Sequence, residues 1–284
     1  MKSRELANFV ASHADAVVAE LSVVRGSSPR DEGAFMLIAA EAMVGTIGGG
    51  ALEYMVIGRA RQALRDGEAP VGLDIPLGPE IGQCCGGRVE VSLRRIDAGM
   101  AQRLVARLEA EEAKRPHVYL FGSGHVGKAL AQALVALPLR VYVIDTRPNE
   151  LADLPEGVSA RAVPMPEAVV RSAPAGSAYV VLTHDHALDF LIAAEALRRD
   201  DAAYVGMVGS RTKRARFASW FRAEGGSETE LARLVLPIGA LGLVDKRPEV
   251  IAALAAAEIM VQIGRREAAV TGSDANSSLG AAVD

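Results

Sequence analysis

The stretch "HVYLFGSGHVGKAL", residues 117–130, decides the fold of the second half of this 284-residue chain. A β-branched and aromatic run ends at Gly122-Ser123-Gly124-His125-Val126-Gly127, and an apolar pattern at helical spacing follows. A glycine turn between strand and helix is the dinucleotide-binding fingerprint. Gly122 permits the tight turn, Gly124 lets a pyrophosphate approach the backbone, and Gly127 lets helix and strand pack closely. The helix start adds free amides and a partial positive charge that favour an anion. Asp145 ends the next strand, where its carboxylate can accept hydrogen bonds from a ribose. A nucleotide bound at this turn is one expectation; a compact strand–turn–helix unit with no ligand is the other.

Around that stretch, strands and helices alternate. "LRVYVID", "VSARAV", "AYVVLTH", "AYVGMVG" and "LVLPIG" read as strands. Helical patterns lie at "ALDFLIAAEALRR", "SRTKRARFASWFRAE" and "PEVIAALAAAEIMVQIGRR". This alternation predicts a parallel sheet with helices on both faces, an α/β fold. Ligands of such sheets gather beyond the carboxyl ends of the strands, where the strand order reverses. Two segments are delivered to that edge: Thr183-His184-Asp185-His186 and Gly209-Ser210-Arg211. His184 and His186 are candidate ligand contacts, although Thr183 or Asp185 acting as a helix cap with exposed histidines fits equally. Two histidines are too few for a closed metal site. Among Arg211, Lys213, Arg214 and Arg216, a solvated helix face is the ordinary reading. Arg211, beside Ser210 at the helix start, is the candidate clamp for a phosphate or carboxylate.

The first half has another texture. Ala19–Val24 reads as a strand, "AFMLIAA" and "AMVGTIG" as a hairpin, "LDIPLGP" and "RVEVSLRRI" as further strands, and Ala98–Ala113 as a helix. "GTIGGGALE" places Gly48, Gly49 and Gly50 at a strand-to-helix junction, where successive amides can form a nest for an anion. A sharp turn needing positive φ is the alternative. The upstream loop "VRGSSPRDEGAFML" can hold an anion or simply turn around Pro29. "KRP", residues 114–116, breaks the helix and marks a boundary. The expected organisation is therefore residues 1–113, residues 116–265 and a disordered tail over 266–284.

Both cysteines of the chain, Cys84 and Cys85, lie in "IGQCCGGRVEV". Adjacent α-carbons sit ~3.8 Å apart, shorter than the span of an unstrained disulfide, so resting thiols are expected. Cys84 reads as a small buried hydrophobe. Cys85 precedes Gly86 and Gly87, whose amides can donate to a thiolate and lower its pKa, and a soft thiolate suits a soft transition metal or a carried sulfur atom. A formal net charge of −4 argues against nucleic-acid binding. The low cysteine use predicts a reducing, cytoplasmic setting. No apolar run is long enough to span a membrane, and the N-terminal charges predict an amphipathic helix rather than a signal peptide.

Seven motifs in order resemble the XdhC/CoxI family. "GSSPRDEGAFML", "GTIGGGALE" and the Gly-x-x-Cys-Gly-Gly of Gly82–Gly87 are similar to its N-terminal domain. "HVYLFGSGHVGKALA", "LTHDHALD", "YVGMVGSRTKRAR" and "PIGALGL…RPEVIAALAAAEI" are similar to its C-terminal Rossmann-like domain. The resemblance implies a doubly wound parallel sheet preceded by a smaller α+β domain. It also implies an accessory protein rather than an enzyme. Such a protein binds the molybdenum cofactor, Mo-molybdopterin, as cargo and protects it while a cysteine desulfurase supplies the terminal sulfido ligand. It then inserts the cofactor into the molybdenum-binding subunit of apo-xanthine dehydrogenase or a related hydroxylase, and a homodimer is expected. The family's Cys-Gly-Gly cysteine falls on Cys85, which would face the molybdenum, with Cys84 an extra thiol. Where the family carries Thr-Pro before its last helix, this chain has Arg247-Pro248. Two other readings stay open: an NAD(P)-dependent oxidoreductase using the Gly122–Gly127 turn, and a redox sensor built on the adjacent thiols.

Overall fold

The computed structural model describes residues 1–79, 82, 86–243 and 245–280, with the backbone alone described for 271–280. The chain divides into two compact units, Met1–Lys114 and Arg115–Asp284, the division falling inside "KRP". Cys84 and Cys85 lie outside the described residues.

The first unit is an antiparallel sheet between helices. Strands β1 (Val17–Arg25), β2 (Phe35–Ile38), β3 (Met43–Gly45), β4 (Leu73–Pro76) and β5 (Arg88–Arg95) stand in the order β3-β2-β1-β5-β4. Alternation along β1 explains why both faces are covered. Val17, Ala19 and Leu21 join Leu52, Val56 and Ala60 of helix α2 (Gly50–Asp66) in one core. Val18 turns the other way, into a core with Leu6 and Phe9 of α1 (Ser3–Ser12) and Leu104 and Leu108 of α3 (Ala98–Ala113). Asp97 caps α3, its side chain accepting from the Met100 amide at 2.7 Å.

The second unit is the doubly wound sheet that the alternation predicts. Its strands are β6 (His117–Phe121), β7 (Arg140–Asp145), β8 (Ser159–Ala162), β9 (Ala178–Val181), β10 (Tyr204–Met207) and β11 (Leu234–Val235). All neighbours pair in parallel, in the order β11-β10-β9-β6-β7-β8. Read by chain order within the unit, that is third, second, first, fourth, fifth and sixth strand from the β8 edge, the Rossmann arrangement with its switch point between β6 and β9. Val118, Leu120, Val141 and Val143 face a core with α4 (His125–Leu134) and α9 (Pro248–Gly280). Tyr119, Phe121, Tyr142 and Ile144 face the opposite core with α6 (His186–Arg198) and α7 (Arg211–Ala223).

Two short helices, α5 (Pro166–Ser172) and α8 (Glu228–Ala232), are absent from the sequence reading. Each is too brief to show a period; α5 announces itself only by proline in its first turn and α8 by a Ser227–Glu230 capping box. Helix α9 continues to Gly280, through residues for which composition predicts disorder. Once a helix is nucleated, each added residue gains a hydrogen bond, so extension needs no amphipathic pattern of its own. No helix among the described residues is long and apolar enough to cross a membrane.

Backbone meets backbone where α4 crosses β6. A Cβ at Gly127 would lie 2.1 Å from the Gly122 carbonyl oxygen, and one at Gly122 would lie 2.5 Å from the Leu182 oxygen. Neither neighbour is a flexible side chain, so the helix itself must shift to admit a methyl group. Gly127→Ala is therefore expected to cost about 2–3 kcal/mol of stability, measured by urea unfolding. A wild-type midpoint would contradict this packing.

Candidate functional site

At the switch point two turns face each other, one after β6 and one after β9. The first is braced by Asp145. Its Oδ2 accepts from the Ser123 amide at 3.0 Å and the Ser123 hydroxyl at 2.9 Å, while Oδ1 accepts from the Arg147 amide at 3.0 Å and Nε at 3.1 Å. Ser123 and Asp145 are both buried. Burial pushes the Asp145 carboxyl up, but the hydrogen bonds from Arg147 and Ser123 outweigh it and hold the pKa at about 2. The acid expected to meet a ribose is thus engaged with its own turn and its own arginine.

Gly124 differs from its two companion glycines. A Cβ there would meet nothing within 4 Å, and its φ of −68° suits any residue. Packing does not demand a glycine at this position; close approach of an external group would. The start of α4 carries no side-chain cap, which leaves its first amides directed at whatever occupies that space.

The second turn holds "THDH". The Thr183 amide (3.1 Å) and hydroxyl (2.7 Å) both donate to Oδ1 of Asp189, a carboxylate with no exposure to solvent. Asp185 caps α6, accepting from the amides of Ala187 at 2.8 Å and Leu188 at 3.3 Å. His184, between these two anchors, lines a narrow crevice with Gly122, Asp145, Thr146 and Thr183. His186 does not join it. It borders a hollow of about 410 Å³ with Phe190, Leu191 and Trp220 on the outer side of α6.

The basic run on α7 also separates. Ser210 caps the helix through the Lys213 amide, and Arg211 lines a third hollow with Arg214 and Arg222. Lys213 and Arg214 correct the expectation of a solvated face. Lys213 Nζ pairs with Asp189 and donates to the Val208 carbonyl at 3.0 Å, and its side chain is 11% exposed. Arg214 donates to the carbonyls of Leu234 (2.9 Å) and Leu236 (3.3 Å). Sequence reasoning missed Asp189. Its signal was an acid set among the apolar residues of a helix whose neighbours are core.

In the first unit three glycine-bearing loops converge. A Cβ on Gly48 would fall 2.5 Å from Pro29 Cγ, one on Gly87 would fall 2.1 Å from the Ser27 carbonyl oxygen, and one on Gly26 3.3 Å from Gly87 Cα. Gly87 is thus a packing glycine. The Gly86 amide donates to the Leu77 carbonyl at 2.9 Å rather than standing free for a thiolate. These bonds close the base of the connection whose sequence contains Cys84 and Cys85.

The expected anion nest exists, and the chain fills it. Glu53 Oε1 accepts from the Thr46 hydroxyl at 2.5 Å and from the amides of Ile47 (2.9 Å), Gly48 (3.2 Å) and Gly49 (2.9 Å). Burial raises the Glu53 pKa, yet the Thr46 hydroxyl and the amides of Gly49, Ile47 and Gly48 together hold it below its ordinary value. An incoming phosphate would have to displace this carboxylate. Gly50 begins α2 behind the nest, with no side-chain cap.

Two family models match the chain: the XdhC Rossmann domain over residues 118–259, and the XdhC and CoxI family over residues 9–73. The uncharacterized protein YqeB of Escherichia coli (strain K12) is 28% identical over 259 residues, 86% of this chain. The chain spans 42% of that relative's length. A crystal structure of a xanthine dehydrogenase from Bacillus halodurans superposes with a TM-score of 0.74 at 21% identity, covering 94% of this chain and 96% of that one.

Two expectations follow from the carboxylates. Asp145 has a depressed folded pKa, so its contribution is present above about pH 4 and is lost as pH falls toward 2. Urea unfolding should show wild type losing about 2 kcal/mol more than Asp145→Asn across that window. Equal slopes would contradict the bracing role. Glu53→Ala leaves the Thr46 hydroxyl and three amides without their acceptor and should cost on the order of 2 kcal/mol. An unchanged melting temperature would contradict it.

Proposed function

Because the chain belongs to the XdhC and CoxI family, we propose that it is a maturation factor for xanthine dehydrogenase or a related molybdenum hydroxylase, acting without turnover of its own. It binds Mo-molybdopterin as cargo, shields it while a cysteine desulfurase supplies the sulfido ligand, and hands it to the molybdenum-binding subunit of the apo-enzyme. It works in the cytoplasm as a homodimer.

The observation that carries this reading is the open ground over Gly124 at the switch point. Molybdopterin ends in a phosphate, and a phosphate suits an uncapped helix start beside a glycine that packing does not require. The alternative cradle at Gly48 and Gly49 already holds the Glu53 carboxylate. His184 lines the same crevice as Gly122 and offers a hydrogen bond to a polar edge of the cargo. Cys85 is proposed as a soft thiolate contact for molybdenum on the strength of its sequence motif alone, with no geometry linking it to the switch point.

The strand order favours a second reading, an NAD(P)-linked oxidoreductase. Against it stands Asp145, whose oxygens serve Ser123 and Arg147 rather than a ribose. Titration with NADH separates the two: the chaperone reading expects no saturable change in fluorescence.

Purified from a host that makes molybdopterin, the wild-type protein should carry extractable pterin and molybdenum. Gly124→Ala should melt like wild type while its pterin load falls about tenfold, since the added methyl group occupies only the ligand's space. His184→Ala should lower the load with the fold intact, and Cys85→Ser should lower molybdenum more than pterin. A wild-type load in Gly124→Ala and His184→Ala would remove the switch point from the site.

A further inference from the structure

Asp189 is fully buried and pairs with Lys213, whose side chain is 11% exposed, and a carboxylate so deep among apolar residues needs a reason. Replacing such a pair by apolar side chains is often neutral or stabilising, so stability alone is a weak reason for keeping it. Asp189 lies on α6 and Lys213 on α7, and both are held beneath the carboxyl edge of the sheet. Oδ1 of Asp189 takes the amide and hydroxyl of Thr183, the residue next to His184. Oδ2 takes the ammonium of Lys213, which also donates to the carbonyl of Val208 beyond β10. The aliphatic stem of Lys213 runs over Gly209, where a Cβ would lie 2.6 Å from Lys213 Cδ. One ion pair therefore ties the turn after β9 to the turn after β10.

We infer that Asp189 is a positioning residue whose charge Lys213 balances: its carboxylate oxygen locks the Thr183–Asp185 turn so that His184 presents its ring to the switch-point crevice. The inference deepens the proposed function and rests on His184 being a cargo contact. His184 itself makes no hydrogen bond among those described. Its direction is set by its neighbours, with Thr183 held by Asp189 and Asp185 held by the amides of α6. Asp189 is the acceptor that fixes the upstream neighbour, and Lys213 balances its charge.

Two double variants separate positioning from mere support. D189N/K213M leaves an oxygen for Thr183, whereas D189L/K213M leaves none, and neither strands a lone buried charge. The first readout is the rate at which diethyl pyrocarbonate modifies His184 in the full-length protein, which needs no cargo. D189N/K213M should react at the wild-type rate, and D189L/K213M severalfold faster. The second readout is pterin load, expected to be retained in D189N/K213M and to fall about tenfold in folded D189L/K213M, the effect of one lost hydrogen bond on binding.

Equal reactivity of His184 in both folded variants and wild type would overturn the inference. If D189L/K213M does not fold, altered His184 reactivity or lost load in D189N/K213M overturns it. A wild-type protein empty of pterin that still shows the difference in His184 reactivity would instead defeat the proposed cargo and leave the positioning role of Asp189 standing.

Discussion

Among the described residues, the turns after β3, β6 and β9 are each held by a carboxylate that accepts a hydroxyl and at least one backbone amide on one oxygen. Asp145 holds Ser123, Asp189 holds Thr183, and Glu53 holds Thr46 together with the amides of Ile47, Gly48 and Gly49. In the second unit the remaining oxygen of each carboxylate meets a cation, Arg147 for Asp145 and Lys213 for Asp189. Turns at the end of a parallel sheet expose amides that nothing in the sheet can satisfy. An internal anion satisfies them and fixes the turn at once. Because both turns at the switch point are fixed this way, a ligand bound between them would have little loop ordering to offset.

The sheet and its glycine turn were legible because their signals are local. Short β-branched runs, a fingerprint set between strand and helix, and helices of a dozen residues each follow from neighbouring residues in sequence. The separation of His184 from His186 was not legible: the sequence sets both at the sheet edge, and only the fold puts His184 in the crevice and His186 on the outer side of α6. The inward turn of Lys213 was not legible. Its partner lies 24 residues earlier on another helix, and a cation in a basic run looks solvated until the tertiary fold brings Asp189 beneath it. Glu53 is an intermediate case. The nest could be read from its glycines, but its occupant required noticing that a glutamate in the first helical turn can reach back over the preceding loop.

These placements reshape the functional reading. Of the residues that sequence gathers at the sheet edge, the fold brings Gly122, Asp145 and His184 to one crevice and sends His186 and Arg211 to separate hollows. Of the two glycine-rich anion sites, one is closed by the chain's own carboxylate and the other stands open over Gly124. The chain belongs to the XdhC family, and the open turn is where the proposed function places the phosphate of its cargo.

The proposed delivery of a molybdenum cofactor is measured by its recipient. Loaded protein, freed of unbound pterin, would be mixed with separately purified cofactor-free xanthine dehydrogenase and the appearance of hydroxylase activity followed. Activation should saturate with loaded protein and exceed what the same amount of free cofactor gives. Activation no greater than that from free cofactor would contradict it.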